Sequence, residues 1–197
     1  IFMINNSINK KVFYIFIFGL ILRLGCVLFL PQIDVNRGDS AKYIALASNI
    51  TAKHIYSYEN DEPDAYFPPG YPFFVSAIYK SFGINNTAVR VVQAILSALV
   101  ILFVYYLATE IFNFKVGILS AIITCVYPGF IGYSGLILPQ LLVMFLITLF
   151  FFLILRFPLN IKLILILGLI AGYAALTRAE LFLFWPILFL IMAVINK

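Results

Sequence analysis

Asp39, Lys42 and Tyr43 fall within one helical turn, a carboxylate followed at the third and fourth positions by a cation and a phenol. A carboxylate beside a cation stays ionised and can take a proton from a hydroxyl, which makes Asp39 a candidate general base. The same residue, standing just ahead of an apolar-periodic stretch, also suits a plain helix N-cap, and both readings remain open on spacing alone. Arg178 stands between two apolar runs with Glu180 two positions on. It can pair with that carboxylate or hold a lipid-linked phosphate through its fork of N–H donors. Arg23 falls inside an apolar run, seven residues from the run's outer end. There it could snorkel outward, although a charge so placed is also a functional candidate. Glu59, Asp61, Glu62 and Asp64 form a short acidic run that reads as solvated loop. His54 is the single histidine, and Cys26 and Cys125 each lie within an apolar run, so neither a disulfide framework nor metal-ligand spacing is present in the sequence. The residues indicate no cofactor, and a divalent metal would have to be shown by other means.

The elements that carry these residues follow from composition. Of 197 residues, 64% are apolar and 11% charged, whereas a soluble domain usually has about 25% charged residues. The net charge of +5 does not point to nucleic acid, because the Lys and Arg residues sit at the ends of apolar runs and not on one basic face. The chain therefore reads as an all-α integral membrane protein, a polytopic bundle of about six transmembrane helices over 12–30, 88–112, 116–132, 136–155, 161–176 and 181–195. The first run lacks a signal-peptidase pattern and is expected to be a retained span. No repeat suggests a solenoid or an inverted-repeat transporter.

Charge sets the expected orientation. With the N-terminus inside, the inner segments carry Lys10, Lys11, Lys115, Arg156, Lys162 and Lys197. The loop 31–87 then faces the non-cytoplasmic side of a cell (plasma or inner) membrane. Within it, 40–50 places Tyr43, Leu46, Ala47 and Ile50 on one helical stripe, and 73–82 is apolar but too short to span. Both are expected to be interfacial amphipathic helices. Between them lies the aromatic, proline-rich turn Tyr66, Phe67, Pro68, Pro69, Gly70, Tyr71 and Pro72.

The ordered series of Asp39 with Lys42 and Tyr43, Pro68 to Pro72, Phe82 and Gly83, Val89 and Arg90, and Gly172 through Thr177 and Arg178 resembles the N-terminal half of the dolichyl-phosphate-mannose–protein mannosyltransferases. It is similar also to the lipid A aminoarabinose transferases, within the GT-C membrane glycosyltransferases. The resemblance covers about residues 10 to 190 and implies transfer of a sugar from a polyprenyl-phosphate donor to an acceptor outside the membrane. It further implies that Asp39 is the catalytic base, that Lys42, Tyr43 and Tyr71 line the site, and that Arg178 lies near the donor phosphate. Many relatives carry a Glu where this sequence has Pro139 and Gln140, and family members are usually longer. The whole of 1–197 thus reads as a single GT-C-like transmembrane module, the N-terminal part of a longer enzyme. The alternative is a catalytically silent lipid-binding or accessory membrane subunit of the same fold. Neither sugar nor acceptor is specified, and nucleic acid is not an expected partner.

Overall fold

The computed structural model describes residues 6–29, 38–58, 62, 63 and 65–195, with side chains described from Lys10 to Phe189. Among the described residues every regular element is an α-helix: α1 (Asn6–Phe29), α2 (Gly38–Lys53), α3 (Gly70–Phe82), α4 (Asn86–Ile111), α5 (Phe114–Val126), α6 (Pro128–Ser134), α7 (Gln140–Arg156), α8 (Ile161–Thr177) and α9 (Leu181–Ile195). Three helix starts share one device. Asn85, Asn113 and Asn160 each turn a side-chain oxygen onto backbone N–H groups of α4, α5 and α8, satisfying donors that a helix start otherwise leaves open.

Helix α4 is the hub, with α1, α5 and α7 packed around it, while α2 pairs with α3 and α3 leans on α8. The larger buried cluster joins α2, α3, α4, α7, α8 and α9, and the smaller one joins α1, α4 and α5 through Val12, Ile101, Tyr105, Ala121 and Cys125. Outward faces stay apolar, with Phe13, Phe18 and Ile21 on α1 and Ile164, Leu165 and Leu169 on α8 exposed. Such faces suit lipid.

The expected spans are met unevenly. Lys10–Phe29 with 20 residues and Asn86–Ile111 with 26 are long and apolar enough to cross a membrane, and the α5–α6 pair makes a third crossing if it counts as one bent span. Helices α7 and α8 have 17 residues each, about 25 Å of helix against a hydrocarbon core of about 30 Å. Helix α9 has 15 residues with Pro186 inside it. The run expected as one span over 116–132 is broken, with a 46° bend between α5 and α6.

Pro128 explains the bend. It has no N–H to give the Thr124 carbonyl, and it forces Tyr127 into an extended conformation at ψ 117°. Arg23 repairs the break. Its Nη2 donates to the Thr124 carbonyl at 3.0 Å, Nη1 to those of Cys125 at 3.1 Å and Gly19 at 2.9 Å, and Nε to Ser97 Oγ at 2.7 Å. The snorkelling expected of Arg23 does not occur: the side chain is fully buried. The negative end of the α5 dipole and the carbonyls left open there hold the guanidinium in place.

The two loop helices form where expected but are longer. Helix α2 buries Tyr43, Leu46, Ala47 and Ile50 as the stripe predicts, and α3 begins at Gly70 instead of residue 73. Of the acidic run, Glu62 is exposed, and Glu59, Asp61 and Asp64 lie outside the described residues.

Candidate functional site

Asp39 is exposed and lies inside the first turn of α2, one residue after Gly38. Gly38 has φ 60°, a left-handed value that a residue with a Cβ adopts only with strain, and this fixes the direction in which α2 sets off. A relay of buried polar groups anchors that turn. Ser40 Oγ donates to the Ile137 carbonyl at 3.1 Å, so Ser40 ties α2 to the α6–α7 connection and does not cap its own helix. The neighbouring Leu136 carbonyl accepts from Gln93 Nε2 at 2.7 Å, and Gln93 Oε1 accepts from the Tyr71 hydroxyl. Helices α2, α3 and α4 are thereby held to one connection.

Tyr43 points into this assembly with its ring clamped edge-on by Phe67 at 5.0 Å and Tyr71 at 4.9 Å. Its hydroxyl carries no hydrogen bond among the described residues. Burial pushes its pKa up to about 12; the carboxylates of Asp39 and Glu180 add to the rise, and the Arg178 guanidinium opposes it. The charges of residues 39, 178 and 180 are thus all felt at Tyr43. Tyr71 stands behind Tyr43, fully buried, and burial holds its hydroxyl well above the usual tyrosine range. The expectation that Tyr71 lines the site meets a residue with no exposed surface; what it offers is support for the Tyr43 ring.

Arg178 reaches this end because the start of α3 packs against the end of α8. Tyr173 donates its hydroxyl to the Gly70 carbonyl at 2.9 Å. A Cβ at Gly70 would come within 2.6 Å of Thr177 Oγ1 and 2.8 Å of the Leu176 carbonyl, so glycine is required for the approach. The Pro-Gly turn brings loop and helix end together. Arg178 then donates from Nε and Nη2 to Glu180 at 3.3 and 2.9 Å, and this hydrogen bonding holds the Glu180 carboxyl below its ordinary pKa. The pairing foreseen for Arg178 and Glu180 is present, but the two side chains remain 41% and 69% exposed. An ion pair so open to solvent adds little stability and exchanges readily.

Lys42 departs from the expectation that it would sit by Asp39. Its ammonium lies over the rings of Tyr58, Phe67 and Tyr66, at 5.4, 5.5 and 5.9 Å from their centroids. Among the described residues no three His, Cys, Asp or Glu side chains gather in a way that could hold a metal ion. Gln140 begins α7 with its Oε1 buried and without a hydrogen bond among the described residues.

The family model for dolichyl-phosphate-mannose-protein mannosyltransferase matches residues 66–197. The chain belongs to this family. It is an integral membrane glycosyltransferase of the GT-C type, mannosyltransferase-like, from a family that uses polyprenyl-phosphate-linked sugar donors. Comparisons with curated proteins and with solved structures return no match. The matched region contains Tyr71, Gln93 and Arg178, whereas Asp39, Lys42 and Tyr43 precede it.

Sequence reasoning missed Ser40, Gln93 and Tyr173 as the residues that assemble the site. Gln93 had a signal, since it is an amide within the long apolar run of α4. Ser40 and Tyr173 are ordinary in sequence, and only the packing reveals their bonds.

Proposed function

We propose that this mannosyltransferase-family chain transfers a sugar from a polyprenyl-phosphate donor to an acceptor hydroxyl on the non-cytoplasmic face, with Asp39 as general base and Arg178 at the donor phosphate. The acceptor oxygen attacks the anomeric carbon while its proton passes to the Asp39 carboxylate. The bond from that carbon to the phosphate oxygen breaks, and the polyprenyl phosphate leaves with its charge stabilised by Arg178. The observation that supports the reading is the packing of the end of α8 onto Gly70 at the start of α3, beside the Tyr71 ring that clamps Tyr43, which brings the Arg178 end of α8 towards the helix that Asp39 begins. The two interfacial helices and six crossings belong to the same reading, with α7, α8 and α9 as short spans. The Lys and Arg bias that sets 31–87 outside supports the choice of face.

Gln140 favours a second reading. By the resemblance, many relatives carry a Glu where this chain has Pro139 and Gln140, and an amide cannot replace its charge, so a silent lipid-binding or accessory subunit would keep the same fold.

The test uses the full-length protein in sealed vesicles with a polyprenyl-phosphate mannose donor. Turnover with acceptor on the side where a cysteine at Ala52 labels, and where one at Lys115 does not, is the expected result. Donor binding without turnover would favour the silent subunit. Neither binding nor turnover would contradict both.

A further inference from the structure

Lys42 is the first basic residue after Asp39 in the sequence, yet its ammonium makes no hydrogen bond or ion pair among the described residues and faces three aromatic rings instead. Those rings belong to the segment between α2 and α3. Phe67 receives Tyr66 at 5.0 Å and Tyr58 at 6.2 Å, and its other neighbour is Tyr43 at 5.0 Å. Its backbone carbonyl is tied by the Tyr56 hydroxyl at 2.7 Å. Adjacent positions on a helix point about 100° apart, so Lys42 cannot share the buried face of Tyr43 and must act beside it. A compact ammonium fits among ring faces whose π clouds attract it, and its four-carbon stem packs along apolar surface on the way.

We propose that Lys42 is a positioning residue: a cation–π latch that holds Tyr58, Tyr66 and Phe67 against α2 and, through Phe67, fixes the Tyr43 ring against Tyr71, and that it is not a ligand of the donor phosphate. The proposal rests on reading Asp39 and Arg178 as the transfer site. Removing the cation frees Tyr58, Tyr66 and Phe67 from their common partner, and the edge-on contact that orients Tyr43 loosens. Arginine keeps the latch, because a guanidinium also stacks over aromatic faces. A neutral side chain of similar length does not.

The full-length protein, reconstituted with a polyprenyl-phosphate mannose donor, allows the comparison of Lys42→Met, Lys42→Arg, Tyr58→Leu and the Met/Leu double variant. Lys42→Met is expected to lower kcat about tenfold with donor KM nearly unchanged, while Lys42→Arg stays within about threefold of the parent. The double variant should be no worse than the poorer single one, since both remove the same contact. Amide hydrogen exchange over 56–67 should quicken in Lys42→Met and Tyr58→Leu but not in Lys42→Arg, a readout that does not need catalysis. A donor KM raised about tenfold in Lys42→Met with kcat intact, as expected of a lost phosphate contact, would overturn the latch. So would additive losses in the double variant, or unchanged exchange over 56–67. Asp39→Asn run alongside separates the two levels: near-normal transfer there removes the site reading itself, whereas abolished transfer with a Lys42 effect on donor KM removes only the latch.

Discussion

Arg23 donates to four acceptors inside the α1–α4–α5 bundle and is fully buried, whereas Arg178 meets one carboxylate and stays 41% exposed. Three of Arg23's partners are backbone carbonyls, two of them at the end of α5 where Pro128 interrupts the helix. Four of its five N–H groups are taken by these acceptors. Arg178 is bound on the Nε–Nη2 edge by Glu180, which leaves its Nη1 without a partner among the described residues and the pair open to exchange. Charge within an apolar sequence is thus a poor guide to function by itself. What separates the two arginines is how many donors the fold has already used, four in buried Arg23 and two in exposed Arg178.

The largest effect should come from breaking the buried one. Arg23→Met leaves the Thr124 and Cys125 carbonyls unsatisfied in an apolar interior and should cost about 3 kcal/mol. The check is thermal unfolding in detergent, where Arg23→Lys should recover part of the loss. A variant as stable as the parent would show that the α5–α6 break needs no clamp.

Arg178→Ala should leave the melting temperature nearly unchanged, because the pair is exposed, yet weaken donor binding about tenfold. Arg178→Lys should retain part of the affinity, since charge survives and the fork is lost. Equilibrium binding of the donor decides it, and a stability loss without a binding loss would give Arg178 the structural role assigned to Arg23.

The smallest effect concerns Tyr43. Its folded pKa is raised from 10.0 to about 12, so the folded state favours the neutral phenol more than the unfolded state does. That contribution is complete below pH 10 and declines as pH rises towards about 12. Alkaline unfolding of Tyr43→Phe should lack this part of the pH dependence. An unchanged profile would show that the ring is less enclosed than the Phe67 and Tyr71 contacts require.

Much of this architecture is legible in the sequence. Apolar run lengths give α1 and α4, the stripe of Tyr43, Leu46, Ala47 and Ile50 gives α2 with its buried face, and the proline-rich turn marks the approach to α3. The breaks are harder to read. Pro128 sits in a run that looks continuous in composition, and the partner that tolerates it, Arg23, is 105 residues away. At the site, Asp39, Tyr43 and Arg178 stand out by type, but the relay through Ser40, Gln93 and Tyr71 depends on which helices touch. Lys42 shows the limit most clearly. Spacing pairs it with Asp39, and the rings of a segment 16 to 25 residues downstream capture it instead.

Asp39→Asn tests the central claim most directly, because Asn has nearly the same shape and hydrogen-bonding reach at a helix start but cannot accept the acceptor's proton. In the full-length protein, reconstituted with a polyprenyl-phosphate mannose donor, the variant should fold, insert and bind donor as the parent does. Its transfer rate should fall by about 10²–10⁴-fold, the usual cost of removing a general base. Transfer near the parent rate would contradict the account, returning Asp39 to a helix-start residue and leaving the reaction at this mouth without its base.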